Sequence, residues 1–313
     1  MAGILTNKPA NQVSISCFGE VLWDCFGEDK RLGGAPLNVC WRLNALGLNA
    51  QLISSVGQDP LGEEILSLMK QNKVDTTLVH SHATKKTSEV QVTLSKSGSA
   101  SYTIFEDCAW DNIELNNTMK QQVKAADCFV FGSLVGRADV SRATLNALLK
   151  EAKFKIFDVN LRAPYYDITR VIEWMEQADF IKLNDDELYL IAKHMGSPYH
   201  SLEQNLAFIA QQTDTHFLCV TKGCHGAVLR IGEQHYYNSG YLIDVVDTVG
   251  AGDGFLGSLI YQLCVQSNPQ TAIDFACAVG ALIAQHKGAT PTLSLQEIQL
   301  FVDPTQSPAN SEQ

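Results

Sequence analysis

Asp247-Thr-Val-Gly-Ala-Gly-Asp253 is the stretch on which the reading of this chain turns. Ahead of it runs an apolar, β-leaning segment, Tyr241 to Val246. Behind it Phe255, Leu256, Leu259, Ile260 and Leu263 recur on one helical face. The pattern predicts strand, glycine turn and helix start, which is the geometry of an anion site. The first N–H groups of a helix have no internal partner, and the helix dipole adds partial positive charge there. Gly250 and Gly252 let the backbone close on a phosphate where a Cβ would intrude. Asp253 is the odd member. A carboxylate among anion-binding amides competes with the phosphate, unless it takes a proton from the group that attacks it. The bland alternative is a helix-start residue with no chemistry.

The same stretch contains Gly252-Asp-Gly254-Phe-Leu-Gly257, a G-x-G-x-x-G match, with Asp274 some twenty residues on. A dinucleotide site is not expected from it. Too little chain follows for several further βα units, and Asp274 falls inside an apolar run, Ala272 to Ala284, that reads as a buried helix.

The 313 residues suit one large α/β domain or two modest ones, and 45% hydrophobic with 18% charged residues suits a globular protein. A net charge of −11 argues against nucleic acid, whose phosphates would be repelled. Nine scattered cysteines without C-x-x-C spacing fit reduced thiols better than disulfides or zinc. Met1 to Gln12 lacks the basic start and apolar run of a signal peptide, and no apolar run is long enough to span a bilayer. A cytoplasmic protein with no membrane partner is expected.

Read outward from the motif, the chain alternates strand and helix. Strands are predicted at Val13 to Phe18, Gln51 to Gly57, Asp127 to Phe131, Phe154 to Val159, Asp179 to Leu183 and His216 to Thr221. Helices are predicted after Pro36, at Leu61 to Lys70, and near 139–151, 168–177, 185–194 and 201–212. Such alternation implies a mostly parallel sheet with helices on both faces. One segment breaks the rhythm. Ser88 to Leu94 and Ser101 to Phe105 alternate with period two around a polar turn, a hairpin with an apolar face (Val90, Val92, Leu94) that must cover or pair with something. A lid over the ligand cleft, built from about 25–32 and 84–108 within a single domain, is the expectation. The polar tail after Pro304 is expected to fray.

Polar residues gather at predicted strand ends, where such sheets hold ligands. Asp24 follows the first strand and could bind two neighbouring hydroxyls, or be a solvated loop acid. Gly33-Gly34-Ala-Pro-Leu-Asn38 opens a helix, with Asn38 able to donate to and accept from a polyol, or simply to cap. Asn160 and Arg162, Asn184 and Glu187, and Thr221-Lys222-Gly223 end other strands, although capping alone could explain Asn184-Asp-Asp-Glu187.

Taken together these pieces resemble the sugar kinases of the ribokinase-like (phosphofructokinase-B) family, and among them the fructokinases. The resemblance runs from Gly19 to about Pro291 and rests on Asp247-Thr-x-Gly-Ala-Gly-Asp253 paired with Gly33-Gly34-Ala-Pro-x-Asn38, some 215 residues apart. It implies that Asp253 is the catalytic base and that the amides of Gly250, Ala251, Gly252 and Asp253 form the anion hole. It places Asp24, Gly33, Gly34 and Asn38 at the sugar. Asn184 and Glu187 would organise magnesium and the ATP phosphates through water, and Arg162 would face the phosphates. Thr221, Lys222, Gly223 and Gly226 would form the nucleotide turn, with Gly288 on the adenine side. Potassium on the backbone carbonyls of Asp247 and Val249 is a further implication, as is a homodimer clasped through its lids. Arg31-Leu-Gly-Gly-Ala-Pro and Ala109-Trp-Asp111 lean toward fructose. Ribose, 2-keto-3-deoxygluconate or a nucleoside would change only the pocket wall. A non-catalytic sugar sensor would be expected to have lost Asp253 or the glycines.

No P-loop lysine motif and no H-R-D or D-F-G set is present, so P-loop and protein-kinase machinery is excluded.

Overall fold

In the computed structural model residues 3–27, 29–94, 100–265 and 268–305 are described, with only the backbone of 92–94 and 100–102. The hairpin turn at 95–99, the side chains of Val92 and Leu94, and the tail beyond Thr305 lie outside the described residues.

The first half of the chain runs β1 (Ser14–Phe18), β2 (Leu22–Phe26), β3 (Asp29–Gly33), α1 (Ala35–Ala45), β4 (Asn49–Gly57), α2 (Pro60–Gln71), β5 (Val79–His82), β6 (Ser88–Leu94), β7 (Ala100–Ile104), α3 (Asn117–Ala125), β8 (Cys128–Gly132) and α4 (Asp139–Leu149). It continues with β9 (Lys155–Asp158), α5 (Ile168–Met175), β10 (Phe180–Asn184), α6 (Asp185–His194), α7 (Leu202–Thr213), β11 (Phe217–Thr221), β12 (Ala227–Ile231), β13 (Gln234–Asn238), α8 (Ala251–Val265), α9 (Pro269–Ala284) and α10 (Leu295–Val302). Nine strands form one sheet in the order β13-β12-β11-β10-β9-β8-β1-β4-β5. The pairs from β5 to β11 are parallel, and β12 and β13 add an antiparallel edge that periodicity had not revealed.

Both faces of this sheet are buried, and β8 shows how. Cys128 and Val130 join the core beneath α1, α8 and α9, while Phe129 and Phe131 join the core beneath α4 to α7. On the second face Phe131 stacks on Phe157 with ring centroids 4.7 Å apart. Strand order reverses at β1, whose neighbours are β8 and β4. That opens a crevice at the carboxyl ends of the strands, the usual place for a ligand in an open α/β sheet.

A second sheet, β3-β2-β6-β7, stands over this crevice. β2 and β6 pair in parallel and the other two pairs are antiparallel. Val90 and Ile104 face each other across β6 and β7, both buried, and with Leu22 of β2 they line the central cavity. Val90, the described member of the hairpin's apolar face, is therefore turned onto the cleft.

Two expectations need correction. Tyr241 to Val246 is not a strand but an extended segment outside both sheets, with Leu242 103% exposed. Its residues are β-leaning, but β-propensity records fit to a half-buried pleated surface, and no partner strand lies alongside. It engages the fold at its two ends, where the Tyr241 hydroxyl donates to Asp274 O at 3.3 Å and the amides of Val246 and Asp247 donate to Ala284 O at the end of α9. Asp24, for its part, is not a loop acid beyond β1. It sits on β2, opposite Arg31 of β3.

All nine cysteines are free thiols, eight of them buried and Cys224 exposed. Among the described residues no helix is long and apolar enough to cross a membrane.

Candidate active site

Two helix N-termini converge on the crevice. α8 begins at Gly250, whose φ of +75° suits glycine and whose missing Cβ would stand 2.5 Å from Cα of Ala289. α1 begins after Gly34 and carries Asn38, 4% exposed, in its first turn. The two helices meet through chemistry: Asn38 Nδ2 donates to Asp253 Oδ2 at 2.8 Å. Asn38 is therefore no cap, since the N-cap of its helix is Gly34, and its Oδ1 remains buried without a partner.

Around this pair lies a polar cavity of about 460 Å³, lined by Asp24, Gly34, Asn38, Arg162, Lys182, Asn184, Gly250, Gly252 and Asp253. A second, mainly apolar cavity of about 330 Å³ adjoins it, lined by Gly223, Gly226, Ile243, Val245, Phe255 and Ala281 among others. Thr221, Thr248 and Gly252 border both. One chamber suits a small polar molecule and the other a flat apolar one, with the start of α8 between them.

The electrostatics follow from burial. Burial holds the Asp253 carboxyl above its usual range and the Asp158 charge adds to this, while the Asn38 hydrogen bond, Lys182 and Arg162 oppose it. A carboxylate so placed is a better proton acceptor than an exposed one. Asp24 is likewise pushed up to about 6 by burial, with Arg162 pulling the other way. Its carboxylate packs on the backbone of Gly33, where any Cβ would stand 2.3 Å from Oδ2.

Lys182 is the functional candidate that pattern reading missed. It is 6% exposed, and its ammonium meets Asp158 Oδ1 at 3.0 Å. Burial works against its charge, but Asp158 and Glu187 outweigh that and hold its pKa above the usual lysine value. Its Nζ lies 3.6 Å from where a Cβ on Gly252 would be, so it looks onto the start of α8. A signal was present, because a lysine within the apolar strand Phe180-Ile-Lys-Leu-Asn184 is rarely buried without a task.

The remaining candidates divide. Arg162 is exposed, lines the polar cavity and donates to Leu161 O at 3.0 Å. Asn184 and Glu187 form a reciprocal capping box on α6, each bond 2.8 Å, and Glu187 Oε1 also accepts from the Leu161 amide at 2.7 Å. Thr221, Gly223 and Gly226 lie at the β11–β12 turn on the apolar cavity, whereas Lys222 lines neither chamber. Gly288 does not border the apolar cavity. Its amide donates to Asp247 Oδ2 at 3.1 Å, and the same oxygen takes Arg31 Nη1 at 2.5 Å. Asp247 Oδ1 accepts from the Val249 amide at 3.0 Å. Both oxygens of Asp247 are thus engaged in holding the loop before α8.

The G-x-G-x-x-G match is explained by helix packing. A Cβ on Gly254 would stand 2.0 Å from Ile283 Cδ1, and one on Gly257 3.0 Å from Arg42 Cβ, so these glycines let α8 press on α9 and α1. Asp274 lies within α9 and accepts from Asn238 Nδ2 at 2.8 Å.

Residues 3–295 match the family model described as pfkB family carbohydrate kinase. Fructokinase-1 of Oryza sativa subsp. japonica is 29% identical over 284 residues, covering 84% of this chain and 85% of that protein. An uncharacterized sugar kinase, PH1459 from Pyrococcus horikoshii, solved in complex with ATP, is 27% identical with a TM-score of 0.75, over 89% of this chain and 94% of that one. Fructokinase from Vibrio cholerae O395, bound to fructose, ADP and calcium, shares the fold at 23% identity and a TM-score of 0.79, over 94% and 100% of the two chains. A ribokinase-like fold, a base candidate at a helix-borne anion site and a family match over nearly the whole length agree: the chain belongs to the pfkB family of carbohydrate kinases and is a sugar kinase.

Proposed function

We propose that this protein transfers the γ-phosphoryl group of ATP to a primary hydroxyl of D-fructose, with Asp253 as general base. The observation that carries the reading is the Asn38–Asp253 hydrogen bond at the start of α8, where the polar and apolar chambers meet. A sugar in the polar chamber would contact Asp24, Gly34 and Asn38. The nucleoside would occupy the apolar chamber, with its phosphates reaching the amides of Gly250 to Asp253. Asp253, little satisfied by its surroundings, would accept the hydroxyl proton as the oxygen attacks. Charge spreading over the phosphoryl oxygens would be met by those amides, by Lys182 and by Arg162. The four-stranded sheet would act as a lid that excludes water and limits wasteful hydrolysis of ATP.

Magnesium fits this site through water. Among the described residues no group of three or more His, Cys, Asp or Glu could hold a metal directly. Asp158 Oδ2 is buried and unpartnered, so a metal-bound water would satisfy it, with Glu187 close by. The ion, when bound, would supply neutralisation of phosphate charge. Potassium, when bound, would sit on the backbone carbonyls of Asp247 and Val249, on the loop whose Asp247 carboxylate pairs with Arg31, and no step depends on it. A cytoplasmic homodimer joined through β3 and β7, the free edges of the small sheet, completes the reading. Sedimentation of a stable monomer at micromolar concentration would remove the dimer.

The test is an ADP-release screen over fructose, ribose, 2-keto-3-deoxygluconate and nucleosides. Fructose is expected to give the highest kcat/KM. A clear preference for another acceptor would overturn the fructose assignment, and release with no acceptor would overturn the reading.

A further inference from the structure

One acid on the sugar side of the cavity has no part in the mechanism above. Glu20 lies between β1 and β2, 3% exposed, on the same cavity wall as Asp24, Asn38 and Asp253. Its own backbone amide and, more weakly, the Ala35 amide at the start of α1 favour its charged form. Its Oε2 is buried with no hydrogen-bond partner among the described residues, and Asn38 Oδ1, which lines the same cavity, is in the same condition. Buried polar atoms in native proteins rarely stay unpaired. Two orphan acceptors on one wall call for a ligand rich in hydroxyl donors.

We infer that Glu20 is a specificity-determining residue, which takes up a hydroxyl of the acceptor sugar through Oε2. This rests on the sugar-kinase reading and adds the residue by which the pocket counts hydroxyls. A substrate that lacks the matching hydroxyl leaves Oε2 unpaired, and a site built this way rejects such a substrate far more strongly than an apolar wall could. Burial pushes the Glu20 carboxyl up to about 7, with Arg162 opposing and Asp253 reinforcing the shift. Either protonation state serves, since the carboxylate accepts from a hydroxyl and the acid donates to one.

The experiment is steady-state kinetics of the full-length chain and its Glu20→Ala and Glu20→Gln variants, with ATP, the best acceptor of the panel and that acceptor's monodeoxy analogues. Glu20→Ala is expected to raise the sugar KM by about tenfold or more, the worth of a hydrogen bond to a charged partner. The KM for ATP should stay within about twofold, because only sugar contacts are lost. One monodeoxy analogue that the wild type discriminates against should be used by Glu20→Ala nearly as well as the parent sugar. Glu20→Gln keeps size and a neutral hydrogen-bonding oxygen, and should restore only part of the parent-sugar affinity. If Glu20→Ala does not fold, Glu20→Gln decides alone, by shifting the parent-to-analogue ratio of kcat/KM at least about threefold. Folded variants with an unchanged ratio, or with sugar and ATP KM rising together, would overturn the inference while leaving the kinase intact. A wild type that phosphorylates no sugar would overturn the reading of the site and this inference with it.

Discussion

Two helices begin beside the cavity with an acid in their first turn, α6 and α8, and the two acids are held in different ways. Glu187 on α6 is consumed by structure. One oxygen accepts from the Asn184 amide, the other accepts from the Leu161 amide, and the Glu187 amide in turn donates to Asn184 Oδ1. Asp253 on α8 has a single side-chain bond among the described residues, from Asn38 on another helix. Both carboxyls are raised by burial. Burial therefore does not tell the reactive group from the scaffold. Unspent coordination does: an acid whose lone pairs are filled by amides cannot take a proton cheaply, and one left nearly free can.

The comparison breaks first on Asp253→Asn. The amide keeps size and the bond to Asn38 but cannot act as a base, so kcat should fall by at least about 100-fold, with the KM for ATP and sugar changed little. Retention of more than about a tenth of wild-type kcat would put the change outside the general-base range and make Asp253 a cap. Glu187→Ala should show the reverse profile. It strips buried partners from two backbone amides, and should cost about 3 kcal/mol of stability in urea unfolding. Its loss of kcat should be smaller than that of Asp253→Asn. A fully stable Glu187→Ala chain would mean that the capping box is not what Glu187 is for.

Stability against pH sharpens the contrast. Because the folded-state pKa of Asp253 is raised, the native chain holds a proton that the unfolded chain has released. Stability from this group is thus present at low pH and is lost as pH rises through the raised value. Asp253→Asn should therefore unfold at higher urea than wild type at pH 8, and the gap should close toward about pH 4, where the unfolded carboxyl also protonates. A gap independent of pH would show that the buried charge carries no such penalty. The smallest effect concerns Arg31. With Asp247 already paired to it, replacing sodium by potassium should change kcat less than about twofold, about the effect of a weakly held surface charge. Strong activation would show that the carbonyls of Asp247 and Val249 form an ion site despite the guanidinium.

Much of this was legible before any coordinates. Local rules were enough where the answer was local. Gly250 and Gly252 read as glycines that let the backbone close at a helix start, capping was one of the two readings of Asn184-Asp-Asp-Glu187, and alternating strands and helices read as a parallel sheet. Reading failed where the outcome depended on a neighbour distant in sequence. Tyr241 to Val246 looked like a strand because its residues favour one, but no partner strand lies beside it. Asp24 was read as lying beyond the first strand, at a sugar or as a solvated loop acid, because the strand that carries it pairs with the distant β6 in a second sheet. Lys182 and Glu20 were passed over because one lysine in a strand and one glutamate after it carry no motif.

By itself, then, the sequence determined the alternating parallel strands and helices, the glycine-opened start of α8 and the identity of the acid placed there, since these follow from backbone sterics and periodicity along a few residues. The tertiary structure alone decided which acids are free and which are spent. That depends on where strand order reverses, on which helix brings Asn38 to Asp253, and on which amides reach Glu187. A side chain's chemistry is set by the partners packed around it, and those partners arrive from other elements, Leu161 from 26 residues before Glu187 and Asn38 from 215 before Asp253.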